Sequence, residues 1–193
     1  MFSIRRPSLK QIGQFVEQSK DLTLSYHPIG IAKGNAPGFT LDEASAVIGR
    51  GRDAFARSKM ALTSWKQFDL GWVELFPPGA SIEPESAVGV LVHHLGMWSL
   101  NGCRVVYTID DRDGARFGFA YGTLTNHAEC GEEIFEVSLN EREEVIYRIR
   151  AVSKPRAMLA RVGYPVTRIF QARFRRDSIR AMRNALGKRA GQG

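Results

Sequence analysis

Tyr121, Thr123, His127 and Glu133 fall within 13 residues of one another and together supply a phenol, a hydroxyl, an imidazole and a carboxylate. If the strand-like runs 116–124 and 132–139 form a hairpin, a natural register sets Tyr121 opposite Phe135 and Thr123 opposite Glu133, all on one face. That face is otherwise apolar, and burying a carboxylate is costly unless it is paired or protonated. Glu133 therefore needs a partner. Tyr121, Thr123, His127 and Arg104 are the donors on offer, although Arg104 is out of phase with the apolar face of its own strand. Two readings stay open. In one, Glu133 and His127 are an acid–base pair and Tyr121 donates to a substrate. In the other, the same residues form a hydrogen-bonded cluster that closes the mouth of the hairpin, since perturbed carboxylates also occur in structural networks. Glu129 and Glu132 are expected in solvent.

Other constellations are weaker. A metal site can be drawn from His127, Glu129 and Glu133, but no spacing demands it, so neither metal nor cofactor is expected. His93 and His94 are neighbours on a strand and face opposite ways, which argues against joint ligation and leaves one of them for the core. Gly49-Arg50-Gly51-Arg52 precedes a helix but lacks a phosphate-binding pattern and reads as a tight turn. There is no Gly-x-Ser-x-Gly, and neither Cys103 nor Cys130 sits in a nucleophile motif.

The elements that must carry these residues follow from periodicity. Ser8 and Gln11 make a capping box for a helix over 8–19, with Leu9, Ile12 and Val16 on one face. Residues 22–26 and Phe39–Ile48 alternate as strands, separated by a loop rich in Gly and Pro. From Asp53, Phe55, Lys59, Leu62 and Trp65 recur at helical spacing. The period then changes to two, with strands at 71–76, 87–95, 103–109, 116–124, 132–139 and 144–152, joined by short connections that suit antiparallel neighbours. Ser99–Gly102 is one of the expected turns. Cys103, Val105, Tyr107 and Ile109 share a face, as do Phe117, Phe119 and Tyr121. Ser153-Lys154-Pro155 reads as the start of a last helix. Its apolar stripe runs through Leu159, Val162, Val166, Phe170, Phe174, Met182 and Leu186, with a kink near Gly163-Tyr164 from Pro165. This is a single α+β domain over 1–193: an N-terminal helix within 1–20, a core over 22–187, and a tail at 188–193. A curved antiparallel sheet wraps around a long C-terminal helix, the helix-grip arrangement, with a cavity between them.

Composition sets the class. The chain has 193 residues, 44% hydrophobic and 24% charged, as soluble globular proteins are, and has no apolar run long enough to span a membrane. Two cysteines argue for free thiols and hence a cytoplasmic protein. The net charge of +7 is unevenly placed: residues 150–193 carry +11, and residues 1–149 carry −4. Arg161, Arg168 and Arg175 repeat every seven residues, as a solvated stripe would. Nucleic acid is an available but unfavoured partner, because residues that could stack on bases are scarce in that segment.

Gly118-Phe119-Ala120-Tyr121-Gly122-Thr123-Leu124, followed by His127-Ala128-Glu129 and Gly131-Glu132-Glu133, resembles the core signature of the domain-of-unknown-function family nineteen-ninety. Cys103-Arg104-Val105-Val106-Tyr107, Ala151-Val152-Ser153-Lys154-Pro155 and Pro165 through Gln171 agree, so the resemblance covers roughly residues 22 to 186. It departs at Asn126, Ala128 and Cys130, where the family commonly has glycine, proline and arginine. The resemblance implies a START-like fold and carries over no activity. The expected function is binding of a small, largely apolar molecule, lined by Tyr107, Phe119, Tyr121, Thr123, His127, Glu133 and Phe135. An enzyme using Glu133 and His127, with Tyr121, is the alternative.

Overall fold

The structure, a computed structural model, describes residues 1–111, 114–156 and 164–187. A short strand β1 (Phe2–Ser3) leads to helix α1 (Leu9–Ser19), which begins on the expected capping box. Ser8 Oγ accepts from the Gln11 N–H and the Gln11 side chain accepts from the Ser8 N–H at 2.9 Å. Ile12 and Val16 are buried, whereas Leu9, expected on the same face, is 67% exposed.

Then follow β2 (Thr40–Arg50), α2 (Gly51–Thr63), β3 (Val73–Phe76), β4 (Ala87–His94), β5 (Met97–Asp110), β6 (Arg116–Thr123), β7 (Glu129–Leu139), β8 (Glu144–Pro155) and α3 (Tyr164–Gly187). The strands form one antiparallel sheet in the order β2-β8-β7-β6-β5-β4-β3, with β1 added to β5. Residues 22–26, expected as a strand, contribute a single bridge from Leu24 to Leu124.

The inner face of the sheet holds Phe119, Phe135, Val137, Tyr147 and Ile149. They pack against Phe55, Leu62 and Trp65 from α2 and its end, and against Met182 and Leu186 from α3. Lys59, on the same stripe of α2, lays its ammonium over the rings of Phe55 and Phe117. The outer face is also covered, by α1 through Ile12 on Leu91 and Leu100, and by the loop before β2 through Ala32 on Ala120, Ile134 and Val152.

Four expectations are corrected. The β4–β5 turn is at Leu95-Gly96, both at positive φ (49° and 73°), and not at Ser99–Gly102. Asn101-Gly102, a frequent turn pair, is carried inside β5, where the Asn101 side chain bonds Ser99 and accepts from the Ala128 N–H. Strand β8 runs through Ser153-Lys154-Pro155, which therefore ends a strand rather than starting a helix. Thr40, opposite Ser153, is the first residue of β2, so at Pro155 β8 has become an edge, where proline's missing N–H is tolerated. The expected Leu159, Arg161 and Val162 lie outside the described residues, as does Gly163 of the expected kink; the described helix starts at Tyr164 with Pro165 second.

In β5, Val105 pairs with Tyr121 but Tyr107 pairs with Ala120, so Val106 is an extra, bulged residue. Cys103 and Val105 enter the inner core, while Tyr107 and Ile109 turn to the outer face. Finally, β6 and β7 pair two residues away from the expected register: Tyr121 faces Glu133 and Phe119 faces Phe135. A shift of two keeps every side chain on its face, so the expected sidedness survives.

Arg168 and Arg175 do not form a solvated stripe. Both pair with Asp42 of β2, which is 6% exposed. Arg173, Arg176 and Arg180 gather on Asp177, and Arg183 donates to the Val47 carbonyl. These arginines on α3 are engaged with the protein's own carboxylates and backbone.

The first motif glycine owes its place to packing. A Cβ at Gly118 would press on the Phe135 carbonyl oxygen and lie 2.8 Å from the Glu136 Cα of the neighbouring strand. Gly118→Ala is expected to destabilise the protein by about 1–3 kcal/mol, seen as a lower thermal midpoint by circular dichroism. An unchanged midpoint would mean that the strand pair yields without cost.

Candidate functional site

A cavity of about 610 Å³ lies between the inner face of the sheet and α3. Phe68, Trp72, Val90, Val92, Phe170 and Phe174 form its apolar wall, and Tyr121, Thr123, His127, Glu129, Glu133 and Gln171 its polar end. Phe170 and Phe174 are four residues apart, which puts both on one face of α3. Phe68 comes from a short 3₁₀ turn (Lys66–Phe68) entered through Trp65 in the left-handed region, φ 55°. Its ring packs edge-on against Phe135 at 5.5 Å and tilted against Phe174 at 5.2 Å and Tyr121 at 6.1 Å.

Within this end, the Tyr121 phenol donates to Glu133 Oε2 at 2.8 Å. Burial pushes the Glu133 carboxyl up to about 7; the phenol opposes the rise, the Glu129 charge adds to it, Arg175 pulls back and Asp42 adds again. Burial also holds the Tyr121 phenol well above its ordinary range, helped by the Glu133 charge. Glu129, expected in solvent, lines the cavity and accepts from the Gln171 amide at 2.7 Å. Burial raises its carboxyl too.

His127 lines the same cavity but points to its own loop: Nδ1 accepts from the Glu129 N–H at 2.9 Å. Burial lowers its imidazole to about 4. Among the described hydrogen bonds none joins His127 to Glu133, although both line the cavity. Thr123 closes the hairpin mouth instead, accepting from the Gly131 N–H at 2.9 Å and donating to the Gly131 carbonyl at 3.1 Å.

Several expected residues lie elsewhere. Phe119 and Phe135 are wholly buried in the core and do not line the cavity. Tyr107, turned outward by the bulge, donates to Glu132 at 2.7 Å and lies under the Lys33 ammonium. Glu132, expected in solvent, is 2% exposed on the outer face. Arg104 donates to the Lys20 and Leu22 carbonyls and pairs with Glu85, so it is no partner for Glu133. Of the two adjacent histidines, His94 lines the cavity beside Phe170, and His93 stacks on Trp98 at 4.3 Å. Both cysteines are free and buried; Cys130 Sγ donates to the Ser25 carbonyl. Among the described residues no three His, Cys, Asp or Glu side chains are placed to hold a metal ion. Phe68 sits in a connecting turn with no periodicity of its own, and Trp72, expected at the start of the strand 71–76, lies just before β3 and lines the cavity.

A curved antiparallel sheet gripping a C-terminal helix, with a cavity between, defines a START-like helix-grip protein. Human STARD10 shares the fold, with a TM-score of 0.51 at 9% identity, covering 96% of this chain and 82% of that one. The hypothetical protein jhp0584 of Helicobacter pylori matches with a TM-score of 0.52 at 11% identity, over 80% of this chain and 92% of the other. The chain belongs to the family described as domain of unknown function (DUF1990), which it matches over residues 25–181. A UPF0548 protein of Dictyostelium discoideum is 32% identical over 208 residues, spanning 97% of this chain and 96% of its own length. Among the described residues, no helix is long and apolar enough to cross a membrane.

Proposed function

We propose that the chain binds a small, largely apolar molecule in the cavity between sheet and α3. The observation that carries this reading is the cavity itself: about 610 Å³, walled largely by aromatic and aliphatic side chains, with a few polar groups including Tyr121 and Glu133 among its lining. The apolar wall would take up the body of the ligand, and the Tyr121–Glu133 end would orient it. The START-like fold is consistent with this use, and the family assignment is silent on it.

Nile red, a neutral apolar fluorophore, is expected to bind with saturable fluorescence enhancement. Val92→Trp, which places an indole in the cavity from a partly exposed position on β4, is expected to weaken that binding by about tenfold while the thermal midpoint stays close to that of the parent protein. Absence of saturable binding, or binding indifferent to Val92→Trp, would remove the reading. Native mass spectrometry of protein isolated from its source then identifies the molecule by mass.

A further inference from the structure

Glu129, Glu133 and Arg175 line the polar end of the cavity, and Asp42 and Arg168 lie beside it. Asp42 takes both cations. Arg168 Nη2 donates to it at 2.8 Å, and Arg175 Nη2 lies 3.1 Å away. Glu129 and Glu133 have no ion-pair partner among the described residues. Each accepts one neutral hydrogen bond, from the Gln171 amide and the Tyr121 phenol respectively, and both bonds leave the second carboxylate oxygen unused. With both ionised, the two carboxylates Glu129 and Glu133 line this end against the single guanidinium of Arg175, which Asp42 already pairs, and a monovalent cation is the complement of the excess. The apolar wall includes the rings of Phe68, Phe170 and Phe174, of a kind that attracts ammonium groups, while Trp72 already carries the Arg173 guanidinium over its ring. His94, beside Phe170 on the same cavity, has an Nδ1 with no hydrogen-bond partner among the described residues.

We propose that the cavity selects a monocation, an apolar body ending in a protonated amine whose ammonium sits between Glu133 and Glu129. This rests on the cavity being a ligand site and adds the chemical class of the ligand. An alcohol would leave the excess charge unmatched. A carboxylate would add a third negative group beside Glu129 and Glu133, which costs affinity through like-charge repulsion.

The pH behaviour follows from what faces Glu133: Tyr121 from β6, Glu129 from its own strand, Asp42 from β2, Arg175 from α3, Cys103 from β5 and Tyr147 from β8. Burial among these groups leaves Glu133 half protonated near pH 7, so an ammonium arriving beside it displaces a proton and binds better as pH rises.

The test is displacement of Nile red by 4-phenylbutylamine, 4-phenylbutan-1-ol and 4-phenylbutanoate, which share one apolar body. At pH 8 the amine is expected to displace the dye at about tenfold lower concentration than the alcohol, the order that one charge-assisted hydrogen bond supplies. The carboxylate is expected to be weakest. At pH 5.5 the advantage of the amine should shrink, and Glu133→Gln should bring the amine to the alcohol's level. Glu129→Gln should reduce the advantage in the same direction, and serves if the first variant binds the dye poorly. An alcohol or carboxylate that equals the amine at pH 8, an amine that fails to displace the dye, or an amine preference that survives both substitutions overturns the proposal and leaves the cavity reading standing. A parent protein that does not bind Nile red overturns the cavity reading itself.

Discussion

Glu132→Ala is expected to remove about 3–5 kcal/mol of folding stability and to lower the thermal midpoint by about 10 °C. The carboxylate is 2% exposed on the outer face of β7 and accepts four hydrogen bonds. Tyr26 and Tyr107 donate their phenols at 2.7 Å each, and the backbone N–H groups of Gly30 and Ala32 donate at 2.8 and 3.2 Å. Tyr26, Gly30 and Ala32 belong to the loop before β2, about a hundred residues away in sequence. Glu132 thus ties that loop to the middle of the sheet. Removing it leaves four donors without an acceptor, in a place with little room for water. Burial first, and the hydrogen bond to this carboxylate second, hold both phenols above the ordinary tyrosine range. Glu132→Gln should cost less, because its amide oxygen still accepts. Urea denaturation measures both, and a loss below about 1 kcal/mol for the alanine variant would mean that water replaces the carboxylate.

Glu133→Gln is expected to act in the opposite sense, stabilising the fold by about 3 kcal/mol at pH 8. Its carboxyl sits at about 7 in the folded protein against an ordinary 4.5. Between those values the folded chain keeps a proton that the unfolded chain has released, so stability falls as pH rises through the window. Above pH 7 the whole penalty applies. His127 works the other way. Its imidazole sits at about 4 against an ordinary 6.5, so the unfolded chain takes the proton first and stability falls as pH drops through that window. From about pH 4.5 to 6.5 the two slopes oppose each other. Glu133→Gln should therefore steepen the rise of stability with pH in that interval, and His127→Gln should expose the decline due to Glu133, which the raised Glu129 carboxyl reinforces. Urea-denaturation free energies from pH 4 to 8 decide the matter. A Glu133→Gln variant with the parent's pH profile and no gain at pH 8 would refute the assignment. The amide can still accept from Tyr121, so the comparison isolates the charge.

Much of this was legible in the chain. The Ser8–Gln11 capping box places α1 to within a residue, and strict alternation around Tyr121 and Glu133 puts them on one face whichever even register the hairpin takes. Their hydrogen bond could be anticipated for that reason. What could not be anticipated depends on distant covers. Alternation assigns Glu132 to the face away from Glu133, and that face was taken for solvent because nothing local announces that residues 24–39 fold over it. The arginines of α3 have helical spacing suited to water, and only Asp42, more than a hundred residues earlier, redirects two of them. Phe68 reaches the cavity from a connection, where side-chain direction follows from backbone turns rather than from a period.

The bulge at Val106 gives β5 two reading phases. Up to Val105 the odd-numbered side chains point to the cavity side, and from Tyr107 onward they point to the outer side. Deleting that one residue would restore a single phase. It would leave Tyr107 opposite Ala120 and Ile109 opposite Gly118, both still on the outer face, so Glu132 would keep its four donors. A one-residue gap at Val106 thus changes no side chain's face, whereas a relative that keeps the residue without the bulge must be read with inside and outside exchanged beyond it.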